Sequence, residues 1–170
     1  MTLKIEKKSK SENKEKTSKS DATKTDNLGT SKQKLIHSQF LKHKCYRFDE
    51  KVVIITGGGG AIGYAAAQRL ASEGAIIVLT DIMKSPKLKS LAAKLQSEMG
   101  LKSLAIRADV TKLQDIKNVI KETLDTFGRI DCLFNNAGYQ GAIQPLDRYP
   151  EDDFSKVMKI NVEGNFNFMK

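Results

Sequence analysis

The run Val52-Val53-Ile54-Ile55-Thr56-Gly57-Gly58-Gly59-Gly60-Ala61-Ile62-Gly63 decides the fold. Its first five residues are all β-branched and uncharged, the composition of a strand buried on both faces, as strands of parallel sheets are. From Ala61 the period changes, and Ile62, Ala65, Ala66, Arg69, Leu70 and Glu73 recur at helical spacing until Gly74 ends the pattern. Between strand and helix, Gly58, Gly60 and Gly63 satisfy G-x-G-x-x-G. Without side chains, such a turn bends tightly, approaches a pyrophosphate and packs the helix close to the sheet. The helix start then offers free N–H groups and a partial positive charge to phosphates. A merely structural turn meets the same pattern, because four consecutive glycines fit several registers.

Outward from this unit the alternation repeats. Residues 75–80 form a second buried run, and residues 86–99 carry Leu88, Leu91, Leu95 and Met99 on one helical stripe with Gly100 beyond it. Residues 104–106 make a shorter third strand. Residues 113–127 repeat the amphipathic pattern through Ile116, Val119, Ile120, Leu124 and Phe127, and Gly128 closes it. Residues 131–135 are a fourth strand, in which Asp131 reads as strand-edge structure. A loop through Pro145 and Pro150 then leads to one last helix over about 152–169. The order β-α-β-α-β-α-β-loop-α calls for parallel strands joined by right-handed crossovers. The expected class is therefore α/β, a doubly wound parallel sheet of Rossmann type, incomplete at its C-terminal side.

The 170-residue chain carries a net charge of +9, unevenly spread. Residues 1–51 hold 14 Lys+Arg and 7 Asp+Glu, so most of the excess lies ahead of the folded part. Residues 1–44, rich in Lys, Ser, Thr, Glu and Asn, bury too little apolar surface to repay their ordering entropy and read as a disordered basic tail. Within it, residues 35–41 have the makings of one weak helical turn. Residues 45–170 read as the folded, dinucleotide-binding domain. The acidic residues Glu6, Glu12, Glu15, Asp21 and Asp26 dilute any phosphate-binding stripe, which disfavours nucleic acid as a partner. No run approaches the ~18 apolar residues of a membrane span, and no secretory h-region opens the chain. Cys45 and Cys132 make no disulfide framework, and no Cys/His cluster has zinc spacing. A reducing, cytoplasmic setting with no metal is the expectation.

Asp81 closes the second strand, 18 residues after Gly63. A carboxylate there accepts both hydroxyls of an adenosine ribose and repels a 2′-phosphate, favouring NAD over NADP. Its other reading is a cap for the following turn. Downstream stand Asp109-Val110 after strand three, Asn135-Asn136-Ala137-Gly138 after strand four, and Ile160-Asn161-Val162 in the last helix. Read alone, the amide pair is a turn with Asx chemistry, Asp109 precedes a helix start, and Asn161 is a helix residue of poor propensity.

Thr56-Gly57-x-x-x-Ala61-x-Gly63 resembles the T-G-x-x-x-[AG]-x-G loop of short-chain dehydrogenases/reductases, and the three later motifs match that family in order over residues 51–170. The resemblance implies that Gly57, Gly58, Gly60, Ile62 and Gly63 hold a pyrophosphate and Asp81 a ribose. It also implies Asp109 and Val110 at the adenine, Asn136, Ala137 and Gly138 on the nicotinamide side, and Asn161 as a catalytic-tetrad member whose carbonyl holds a relay water. The implied reaction is NAD-dependent hydride transfer between a secondary alcohol and a ketone. The loop Tyr139-Gln140-Gly141-Ala142 with Tyr149-Pro150 and Asp153-Phe154 looks similar to polyol (xylitol-type) dehydrogenases of the family. The family's other catalytic groups are a Ser and a Tyr-x-x-x-Lys. None of Tyr46, Tyr64, Tyr139 and Tyr149 has Lys at the fourth following position. The chain is accordingly expected to be an inactive N-terminal portion of a longer, homo-oligomeric enzyme. The rival is a non-catalytic dinucleotide-binding or interaction module whose basic tail makes the contact.

Overall fold

The computed structural model describes residues 47–170. The basic segment 1–44, its expected turn at 35–41, and Cys45 lie outside the described residues. The elements are β1 (Val52–Thr56), α1 (Ala61–Ser72), β2 (Ile76–Asp81), α2 (Ser85–Met99), β3 (Ser103–Arg107), α3 (Leu113–Phe127) and β4 (Cys132–Phe134). A 3₁₀ turn at Leu146–Arg148 precedes α4 (Glu151–Met158), a wide π turn (Lys159–Gly164) and α5 (Asn165–Met169). Strand and helix positions match the sequence reading to within about a residue or two, except that the single last helix is broken in two by the π turn. Asn161 lies in that turn, and its side chain leaves the helix to bond elsewhere, as described below.

All four strands are parallel, in the order β3-β2-β1-β4. The chain winds outward from β1 to β3, then crosses back and lays β4 on the other side of β1. The order reverses there, and in such sheets the crevice beyond the carboxyl ends at the reversal is where ligands sit. Side-chain alternation along β1 sorts the two cores. Val53 and Ile55 join Ile77 and Leu79 under α1 and α2, where Leu88, Ala92 and Leu95 close the layer. Val52 and Ile54 join Val78 and Ile106 on the other face, covered by Ile116, Val119 and Phe168. Each fully buried Leu, Ile or Val contributes about 1.5–3 kcal/mol, so β1 and β2 form the most firmly held part of the sheet. The buried face of α1 is Gly63, Ala67 and Ala71, one small residue per turn, which lets this helix lie close to β1.

Two carboxylates brace the sheet at the end away from the crevice. Glu73, buried at the end of α1, accepts two 2.7 Å hydrogen bonds from the Arg47 guanidinium and one of 2.5 Å from Arg69. These pairings hold its carboxyl down at about 2. Asp131, just before β4, accepts the Val52 N–H at 2.9 Å and is paired with Arg129, which lowers it to about 2 as well. Asp131 thus ties β4 to the start of β1, the structural role its position suggested.

Candidate active site

A cavity of about 550 Å³ opens beyond the carboxyl ends of the strands. All the expected cofactor residues line it except Gly58 and Gly63. Those two act through the backbone instead. A Cβ on Gly63 would stand 2.3 Å from the Gly57 carbonyl oxygen, and one on Gly58 would stand 3.0 Å from that of Ile55. Gly57 has φ +62°, a conformation open to glycine at little cost. Gly60 and Gly138 differ: their nearest neighbours to a Cβ are at 3.3 and 3.6 Å. A Cβ on Gly138 would make only ordinary contact, whereas one on Gly60 would crowd the Gly57 carbonyl; both residues line the cavity.

Gly60 caps α1 without a side chain, and the Tyr64 N–H already turns back to the Gly60 carbonyl at 2.9 Å. The N–H groups of Ala61 and Ile62, both on the cavity wall, therefore have no acceptor among the described residues. They are the donors a phosphate requires. Asp81 stands at the rim, where one carboxylate oxygen accepts the Gly59 N–H and the other the Met83 N–H, each at 3.0 Å. The turn-cap role and a ligand-accepting role coexist, because each oxygen keeps a further lone pair. Asp109 likewise binds its own turn through the Thr111 N–H at 3.0 Å and hydroxyl at 2.7 Å. Burial pushes its carboxyl up, but Thr111, Lys112 and Lys159 outweigh that and lower it.

Asn136 fastens β4 to the glycine loop. Its amide donates to the carbonyls of Thr56 at 3.1 Å and Gly57 at 3.2 Å, while the buried Thr56 hydroxyl accepts the N–H groups of Asn136 and Ala137. The Asn136 amide N–H groups are thus committed to shaping the wall. Neighbouring Asn135 donates to the Asn165 carbonyl at 3.2 Å, and its own side-chain oxygen is buried without a partner among the described residues.

Asn161 does not line the cavity; it positions what does. Its side chain accepts the Tyr139 N–H at 2.8 Å and donates to the Tyr139 carbonyl at 3.0 Å, a two-point grip on the strand-four loop. Its own carbonyl, within the π turn, accepts the Asn165 side-chain amide at 2.7 Å. Such one-turn widenings recur at functional sites.

Sequence reasoning assigned no site role to six wall residues: Ala61, Ile82, Ala108, Tyr139, Lys156 and Ile160. Lys156 and Ile160 are one helical turn apart, and Gly164, a turn further, abuts Val110. That spacing was visible, but which side of the helix faced the sheet was not. Among the described residues no group of three His, Cys, Asp or Glu is placed to hold a metal, and no helix is long and apolar enough to cross a membrane.

A four-stranded parallel sheet, a strand-order reversal and a glycine-capped helix facing the crevice define a Rossmann-like domain. The chain belongs to the short chain dehydrogenase family, whose model matches residues 51–170. That family consists of oxidoreductases that bind nicotinamide cofactors. Levodione reductase of Leifsonia aquatica is 40% identical over 120 residues, which are 71% of this chain and 45% of the relative. Meso-2,3-butanediol dehydrogenase of Serratia marcescens is 37% identical over 118 residues, 69% of this chain and 45% of that one. Among solved structures, NAD⁺-bound xylitol dehydrogenase superposes with a TM-score of 0.69 at 42% identity, over 72% of this chain and 46% of the other. The chain thus spans about half the length of the relatives it matches.

Proposed function

We propose that this chain is the NAD-binding part of a short-chain dehydrogenase acting between a secondary alcohol, of polyol type, and a ketone. What carries the reading is the coupling of Asp81 to the glycine loop through the Gly59 N–H at 3.0 Å. A ribose acceptor and a phosphate cradle are thereby one rigid unit. The donor set fits the group: bare N–H groups for a diphosphate, a carboxylate for two ribose hydroxyls, and glycines where a nucleotide passes. The N–H groups of Ala61 and Ile62 hold the diphosphate, on a loop shaped by Gly57, Gly58, Gly60 and Gly63. Asp81 takes the adenosine ribose and excludes a 2′-phosphate by charge. Asp109 and Val110 flank the adenine, and Ala137 and Gly138, fixed by Asn136, flank the nicotinamide side. When bound, the nicotinamide supplies the hydride acceptor for the carbinol carbon. Asn161 holds the Tyr139 loop, and its carbonyl is the group assigned to a relay water.

The 170 residues carry no Tyr-x-x-x-Lys, so we expect binding without turnover from this chain alone. The whole enzyme is proposed to be cytoplasmic and homo-oligomeric. The second reading, a non-catalytic module, is favoured by that same lack and by the basic residues before β1. It predicts tight, strongly salt-dependent capture of nucleic acid or another anionic partner by the tail. The deciding experiment is calorimetric titration of the intact chain with NAD and NADP. NAD is expected to bind more tightly, and Asp81→Asn to narrow the gap. Tighter NADP binding by the wild type overturns the assignment.

A further inference from the structure

The charge on the cavity wall is unfavourable for the ligand the site otherwise suits. Asp81 and Asp109 both line it, and a diphosphate brings further negative charge. The positive end of α1 is worth about half an elementary charge. Asp109 has the Lys112 ammonium at 3.9 Å, whereas Asp81 has no ion-pair partner among the described residues. Lys156 is the cation among the described lining residues. Its ammonium does not wander freely over the surface of α4: it sits 4.3 Å from the centroid of the Tyr139 ring. That ring is fixed at three points. Asn161 grips the Tyr139 main chain at both N–H and carbonyl, and the Tyr139 hydroxyl donates to Asp153 at 2.9 Å. Asp153 also accepts the Ala142 N–H, which anchors the loop just beyond Tyr139. Asp153 from the first turn of α4 and Asn161 from the π turn therefore hold an aromatic platform, and the platform holds Lys156 at the cavity.

We propose that Lys156 is a phosphate-binding residue of this cavity, preorganised by stacking on Tyr139, and that it neutralises part of the diphosphate of the bound dinucleotide. The assignment rests on the cofactor reading above and adds to it a side-chain contact where the glycine loop offers only main-chain donors. It makes Asp153 a positioning residue, acting through the Tyr139 ring.

The test titrates the full chain with NAD by calorimetry at low and moderate salt, and with adenosine, which lacks phosphates, by NMR shift. Lys156→Gln is expected to weaken NAD binding about fivefold, the scale of one charge-assisted contact, and to flatten its salt dependence. It should leave adenosine binding unchanged, and Lys156→Arg should restore NAD affinity. Tyr139→Leu should reproduce part of the loss, and the double variant should fall short of the sum of the two. Tyr139→Phe, which keeps the ring, should lose less than Tyr139→Leu. Unchanged NAD affinity in Lys156→Gln overturns the proposal, as does an equal loss of NAD and adenosine. If the wild type binds neither ligand, the cofactor reading itself fails and this assignment falls with it.

Discussion

Replacing Gly63 by Ala sets two levels of physical reasoning against each other and asks for a sign. Gly63 lies inside α1, where local propensity favours Ala over Gly by about 1 kcal/mol. A reader of the helix alone would therefore predict stabilisation. The tertiary structure says the reverse. The new Cβ would stand 2.3 Å from the Gly57 carbonyl oxygen and 2.9 Å from the Asn136 amide nitrogen. Neither neighbour yields easily, since the first is main chain in a tight turn and the second is held by two hydrogen bonds to the β1 end. Overpacking against rigid backbone costs roughly 3 kcal/mol. Straining the Asn136 bonds, each worth about 1 kcal/mol, adds roughly 1 more. Against the propensity gain, the net loss is about 3 kcal/mol. Urea unfolding followed by circular dichroism should show a lower midpoint with an unchanged slope. An unchanged or raised midpoint would refute the claim that Gly63 is kept for contact with the glycine turn.

Gly138→Ala is the counterpart: with its Cβ no closer than 3.6 Å to anything, unfolding should be unchanged within about 0.5 kcal/mol while NAD titration shows weakened binding. Thr56→Val replaces a buried hydroxyl that accepts two N–H groups, from Asn136 at 2.9 Å and Ala137 at 3.0 Å. It should cost about 2–4 kcal/mol in denaturant unfolding, and Thr56→Ser should recover most of that. For pH, Glu73 and Asp131 have folded-state values of about 2, below the ordinary values of 4.5 and 3.8. The unfolded chain then binds more protons across that interval, so stability is full above about pH 5 and falls as pH drops toward 2. Thermal melts should show this decline, and Glu73→Gln with Asp131→Asn should make it shallower.

The elements were legible because their signals are local. Five β-branched residues in a row bury a strand on both faces whatever surrounds them, and a leucine every third or fourth residue marks a helix face. The glycine loop, Asp81, Asp109 and the amide pair were legible for a related reason: each sits where a strand ends, and the doubly wound order sends parallel strand ends to one side. Roles were less legible than places. Asn136 and Gly63 each read two ways, as ligand contacts and as backbone anchor and close-packing glycine; the structure shows the second, with the Asn136 amide N–H groups on main-chain carbonyls and Gly63 against the Gly57 carbonyl.

What the sequence by itself determined is the class of fold, the order of its elements and the rim of the crevice, because periodicity and turn chemistry act over a few residues. Only the tertiary structure decided which side of the last helical stretch meets the cavity and that Asn161 breaks that stretch to hold Tyr139. It alone also set Lys156 against the Tyr139 ring. Those outcomes depend on contacts between residues well separated in the chain, such as Tyr139 with Asp153, 14 positions apart, and Tyr139 with Asn161, 22 apart. No local pattern encodes them, because the bonds form only after the sheet has brought their partners together.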